Sequence, residues 1–293
     1  MPTPLILSYI HLRFLAVIFL DMHDLPGIGP MFYVSNPYTK FPGFREGIDD
    51  SARAYLSSEK ILMKIGEARY ALAEPYATLF QIIKAPQYRG YVLARAPEQT
   101  HTEQPRLTFY AFGKAGIAEY YEVNPEANGV EHEFAFTLYT DAQAVRERLL
   151  QIVSLDATIP PGPGQKMLFT DDLSKHTADE KGQSQWMHTQ FSAVVKGELA
   201  REYPADVSQA IEEAYINNLE LVFLTLYRGT TLSDQDGKTH GILQGRLGGY
   251  HFFQNLDDKA LKREITLEPI GVEAAREIVM QVFNEALAIV AAE

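Results

Sequence analysis

The chain has 293 residues, 46% of them hydrophobic, and its 38 acidic and 26 basic side chains give a formal charge of -12. That is enough apolar material for packed cores, so disorder is excluded as the default, and the negative field makes nucleic acid and an anionic membrane surface unexpected partners. The absence of cysteine excludes disulfides, thiolate zinc centres and cysteine nucleophiles.

In chain order, the first feature is "PLILSYIHLRFLAVIFL", Pro4 to Leu20, apolar except for His11, Arg13 and small polar groups. As a membrane span it is short, and Arg13 near its middle costs about 2.5–3.5 kcal/mol on insertion. As a signal segment it lacks a basic start and a small-residue cleavage site. What remains is a buried strand or helix, or a leader translated ahead of Met22 or Met31. A cytoplasmic protein is expected, or an exported one if residues 1–23 act as a signal segment.

Met31–Asn36 ("MFYVSN") reads as a strand. A long helix is expected from about Asp50, with Asp49 and Asp50 as capping residues and Leu56, Ile61, Leu62, Ile65 and Ala68 near helical spacing. Pro75 ends or restarts it. The next runs, "TLFQII", "GYVLARA", "RLTFYAFG", "IAEYYEV" and "EFAFTLY", predict an antiparallel meander broken by "PEQTHTEQP" and "NPEANG". A helix over 141–153 follows, capped by Asp141.

The pattern then starts again. "IPPGPGQKMLFTDD" (Ile159–Asp172) leads into helical stretches over 184–204 and 205–218, strands over 219–229, 241–255 and 263–270, and a closing helix over 271–290. The closing helices align without a gap, "AVRERLLQIV" from Ala144 with "AAREIVMQVF" from Ala274. The strands before them align as Glu133-Phe134-x-Phe136 with Glu264-Ile265-x-Leu267, and the opening strand is matched as "MFYVSN" with "MLFTDD". The predicted fold is α+β: two tandem copies of a strand, helix, antiparallel meander, helix unit, with helices packed on one face of the sheets. The expected domains are an apolar extension over 1–23, a first copy over 24–155 and a second over 156–293. The second half holds most of the charge: residues 1–155 carry 14 Lys/Arg and 17 Asp/Glu, residues 156–293 carry 12 and 21.

Motifs for chemistry are sparse. Tyr-Arg-Gly occurs at Tyr88 and Tyr227, a triplet that one class of ADP-ribosyltransferases uses to grip its dinucleotide. The Ser-Thr-Ser strand and Glu-x-Glu turn that such chemistry also needs are missing, and the two triplets fall out of register with the repeat. Asp171, Asp172, His176, Asp179 and Glu180 crowd one loop without a recognised ligand spacing, so no metal and no cofactor is expected. No nucleophile elbow or phosphate loop is present, and Gly245, Gly248 and Gly249 suggest a tight bend.

Two readings of function follow. The leading one is a non-catalytic protein-binding protein of immunity, adaptor or chaperone type. It sets an acidic surface of the second copy (Asp171, Asp172, Asp179, Glu180) and outward aromatics (Tyr120, Tyr121, Tyr250, Phe252) against a basic protein partner. The alternative is an enzyme with dispersed residues, Arg95, Arg228 and His251, in a cleft between the copies, or a module sensing a small molecule.

Overall fold

The computed structural model describes residues 2–22, 24–25, 29–30, 42–67, 69–94, 106–123, 132–152, 160–172, 197, 200–201, 203–209, 211, 222–228, 238–245, 247–257 and 262–292. The fold is α+β, with helices and antiparallel sheets. The chain forms two compact units, Met1–Gln87 with Leu107–Val145, and Tyr88–Arg106 with Arg146–Glu293.

Unit 1 begins with β1 (Leu5–Ser8), α1 (Tyr9–Arg13) and a π-helical stretch, Phe14–Phe19. The apolar N-terminus therefore does not stand apart as an extension. β1 pairs antiparallel with β9 (Glu133–Tyr139), and Leu7, Leu12 and Leu15 are completely buried. Arg13, awkward in an apolar run, makes an ion pair with Asp49 on α2 (Pro42–Ser58) at 3.3 Å. Among the described residues, no helix is long and apolar enough to cross a membrane.

After two short pairing segments, β2 (Asp24–Leu25) and β3 (Gly29–Pro30), α2 ends at Ser58. It does not run on through Ile65. Lys60 takes a φ of +58°, and Leu62–Lys64 (β4) turns back to pair with Tyr70–Leu72 (β5). The run "TLFQII" is also not a strand: it lies in α3 (Tyr76–Lys84), which buries Leu79, Phe80, Ile82 and Ile83. Those positions fall one helical turn apart, a spacing that a strand would divide between two faces.

The meander strands β7 (Arg106–Gly113), β8 (Gly116–Glu122) and β9 pair in sequence. Neighbouring residues of a strand point to opposite faces. Ile117, Ala118, Glu119 and Tyr120 are all buried, so both faces of this sheet are covered here. One face carries Ala111, Ala118, Tyr120, Phe134 and Phe136 into the core shared with α1, α2 and α3. α4 (Ala142–Ile152) is capped as expected, the Gln143 amide donating to Asp141 Oδ1 at 2.9 Å.

Unit 2 orders its strands β6-β11-β12-β13-β14-β10, every pair antiparallel: β6 (Tyr88–Ala94), β11 (Val222–Arg228), β12 (Lys238–Gly245), β13 (Gly248–Asp257), β14 (Lys262–Pro269) and β10 (Met167–Asp172). The two Tyr-Arg-Gly triplets meet across β6 and β11, Tyr88 opposite Arg228 and Arg89 opposite Tyr227. Gly245 and Gly248 close the β12–β13 turn, and Gly248 has a φ of +135°, which a side chain would strain. α5 (Val272–Ala292) ends the chain, and Arg146 of α4 donates to Asn284 Oδ1 of α5 at 2.7 Å.

Each unit thus places a short edge strand beside the last strand of a three-stranded meander, and in sequence a helix follows each meander, α4 crossing from unit 1 into unit 2 at Arg146. β1 beside β9 matches β10 beside β14, with Leu5 opposite Phe136 and Met167 opposite Leu267. The counterpart of "MLFTDD" by topology is therefore Leu5–Ser8; Met31–Asn36 lies outside the described residues. The closing helices bury matching positions: Val145, Leu149 and Ile152 in α4, and Ala275, Val279 and Val282 in α5.

Candidate functional site

Cross-strand partners share a face, so the registers define rows of side chains. In unit 2, Ile242, His251 and Glu268 form one row across β12, β13 and β14. Lys166, just ahead of β10, reaches the row with Nζ 3.1 Å from Glu268 Oε2. The next row runs His240, Phe253, Thr266, Leu168. His251 is buried, His240, Phe253 and Thr266 are half-buried, and Leu168 is 72% exposed.

Three polar contacts link these groups. Glu268 Oε1 lies 3.1 Å from His251 Nδ1, and His251 Nε2 lies 3.1 Å from His240 Nδ1. The two imidazoles meet edge to edge, 5.3 Å between centroids and 14° between planes, and His240 also meets Phe253 at 4.8 Å. Partial burial works to raise the Glu268 pKa, but the hydrogen bonds from His251 and Lys166 and the Lys166 charge outweigh it and hold the carboxyl below its ordinary value. Burial pushes His251 below the ordinary histidine value against the opposing pull of Glu268, and Lys166 adds to the depression. The contact geometry orders the protons, because an ionised carboxylate can only accept. An ionised Glu268 accepts from Nδ1–H of a neutral His251, so Nε2 of His251 is the acceptor and His240 Nδ1–H donates to it.

Unit 1 has a polar set at the same place. Its row is Tyr110, Glu119, Thr137, and the next is Thr108, Tyr121, Ala135, Ile6. Thr108, Glu119 and Thr137 are buried, and Tyr110 and Tyr139 donate to Glu119 Oε2 at 2.8 and 3.5 Å. Glu119 thus occupies the position of His251, and Thr137 that of Glu268. The signal for Glu119, Glu268 and His240 was in the sequence. "GKAG" and "GRLG" align Gly113 with Gly245 and Gly116 with Gly248, and that offset puts Glu119 on His251.

The residues expected from sequence fare unevenly. Tyr120, Tyr250 and Phe252 are 1%, 1% and 3% exposed, so they pack the interior and offer no outward aromatic face; Tyr121 is half-buried. The corresponding face of each strand is covered, and the Tyr250 hydroxyl donates to the Pro163 carbonyl at 3.1 Å. Burial, with Tyr203 nearby, pushes that phenol up to about 12. Asp171 and Asp172 lie on β10 opposite Arg263 and Lys262, so a basic pair faces the acidic one in the register. His176, Asp179, Glu180 and Arg95 lie outside the described residues. Arg228 sits at the end of β11, six residues from Val222, whose row contains Ile242 and His251; at about 3.3 Å per residue it lies roughly 20 Å along the sheet from His251.

No family model matches this chain, and no curated protein matches it. Among solved structures, a "putative thioesterase II" from Thermobifida fusca YX is 9% identical, with a TM-score of 0.20 over 74% of this chain and 98% of that one. A likeness at that level carries no argument about fold or activity.

Proposed function

We propose that the chain is a non-catalytic protein-binding protein whose unit 2 takes a basic, extended segment of a partner along β10. The observation that carries this reading is Leu168, 72% exposed as the second residue of a strand that ends the sheet order, with a buried Met167 before it. An outward leucine on an edge strand is a liability in a free monomer and an anchor in a complex, where burying it contributes about 1.5–3 kcal/mol. Exposed Glu264 lies near it on β14, and the half of the chain that supplies this edge carries most of the net charge, so a basic partner is the complementary one. The cysteine-free composition fits a cytoplasmic setting.

The test is affinity capture from lysate of the native organism with the wild-type chain and Leu168→Asp, at low and high salt. One stoichiometric basic protein, lost with added salt and lost from the variant, supports the reading. Partners retained equally by the variant, or a wild-type dimer that the variant dissociates, overturn it.

A further inference from the structure

The proton assignment above gives the histidine pair a property that the binding reading does not use. With both rings neutral, a side-chain hydrogen bond joins β12 to β13, His240 Nδ1–H donating to His251 Nε2. A proton added to His240 leaves that donation intact. A proton added to His251 Nε2 converts the acceptor into a donor, sets two N–H groups against each other at 3.1 Å, and adds positive charge at the edge of the facing ring. We propose that the edge-to-edge His240–His251 pair is a pH-operated latch that helps hold β12 against β13 at neutral pH and loosens them on acidification.

The surroundings decide how the latch responds. The charged groups on this face are Lys166 ahead of β10 and Glu264 and Glu268 on β14, and the register places Lys238 of β12, Asp257 of β13, Lys262 of β14 and Asp172 of β10 on the same face; β13 contributes Phe253 and β12 contributes Ile242 beside the pair. From α5, which ends the unit, Val279, Val282 and Phe283 are buried, while Glu273 and Glu277 are exposed and Arg276 and Glu285 half-buried. Glu268 is committed at both oxygens, to Lys166 through Oε2 and to His251 through Oε1. It holds the proton on His251 Nδ1, and its charge only partly offsets the cost that burial sets on a second proton at Nε2. The opened strands, with imidazoles in water, take up protons near the ordinary value of about 6.5, whereas the closed pair resists the proton on Nε2. Falling pH therefore favours the opened form.

Hydrogen exchange of the full chain, followed peptide by peptide between pH 7.0 and 5.0 and corrected for the intrinsic pH dependence, reads this opening directly. Opening of residues 238–257 is expected to become easier by up to about tenfold per pH unit below 6.5, the limit for one linked proton. His251→Gln should abolish the slope. His240→Ala removes the facing N–H and should shrink it while leaving His251 in place, so a poorly folded His251 variant does not remove the test. Residues 106–113 of β7, which contain no histidine, should show no such slope. A wild-type segment with no pH slope, or variants that keep the wild-type slope, overturn the latch.

Discussion

At one position in each meander the two units bury a polar side chain, and they satisfy it differently. Unit 1 buries Glu119 with tyrosine hydroxyls from Tyr110 on β7 and Tyr139 at the end of β9. Unit 2 buries His251 between Glu268 and His240, and that chain of contacts continues to Lys166, whose side chain is 64% exposed. The first set lies within a covered sheet; the second leads out to solvent. A buried polar group needs partners, and the partners decide its behaviour: hydroxyls that donate to a carboxylate make a fixed joint, while imidazoles linked to an acid and a lysine make a titrating one. The edges differ in the same sense, Ile6 being 41% exposed where Leu168 is 72%.

The largest effects should come from breaking the two cores separately. Phe136 and Leu267 hold corresponding sites, both nearly fully buried. Phe136→Ala is expected to cost about 3–5 kcal/mol and Leu267→Ala about 2–5 kcal/mol. Each loss should appear as faster hydrogen exchange in the strands of its own unit; equal acceleration of both units by either variant would remove the basis for treating them as separate.

The next contrast is between the polar centres. Glu119→Ala withdraws the acceptor from Tyr110 and is expected to destabilise unit 1 by about 2–3 kcal/mol, with Glu119→Gln recovering much of the loss. Urea unfolding of the two variants checks this. A Gln variant no better than Ala would show that the carboxylate charge matters beyond its hydrogen-bonding shape.

Acidification should then separate the units. His251 and Glu268 both have folded values below their ordinary ones, so each favours the state that carries fewer protons. The His251 contribution is present above about pH 6.5 and lost as the pH falls below it; the Glu268 contribution is present above about 4.5 and lost on further acidification. Unit 1 has its own lowered histidine, His11 on α1, through burial. The comparison therefore belongs between β12–β13 and β7. A β7 that loosens in parallel with β12–β13 would show that the response is global.

The smallest effect on stability is expected at the edges. Leu168→Asp and Ile6→Asp should each change unfolding by roughly 0.5 kcal/mol or less, as exposed substitutions do. Only Leu168→Asp should abolish partner capture, and a matching loss in Ile6→Asp would move the proposed docking edge from unit 2 alone to both units.

Much of the fold was legible in the sequence because it is encoded locally. "EFAFTLY" and "REITLEPI" show strand alternation, Asp141 announces the start of α4, and the two closing helices share their apolar spacing. The misreadings fell where local pattern and tertiary pairing disagree. "TLFQII" has too short an apolar run to reveal its period, and Leu62 satisfies helical spacing while pairing with Leu72 in a ribbon. The place of Leu5–Ser8 in the sheet is not legible locally because its partner, Glu133–Phe136, lies about 130 residues further along the chain.

The sequence by itself determined the α+β class, the meanders, the closing helices and the uneven charge, all of which follow from composition and short-range periodicity. Only the tertiary structure decided that the N-terminal apolar run is a sheet strand and helix, that Tyr120, Tyr250 and Phe252 point inward, and that His240, His251, Glu268 and Lys166 meet. The reason is physical: a side chain's face and partners are set by strand register, and register is fixed by pairing between segments distant in sequence.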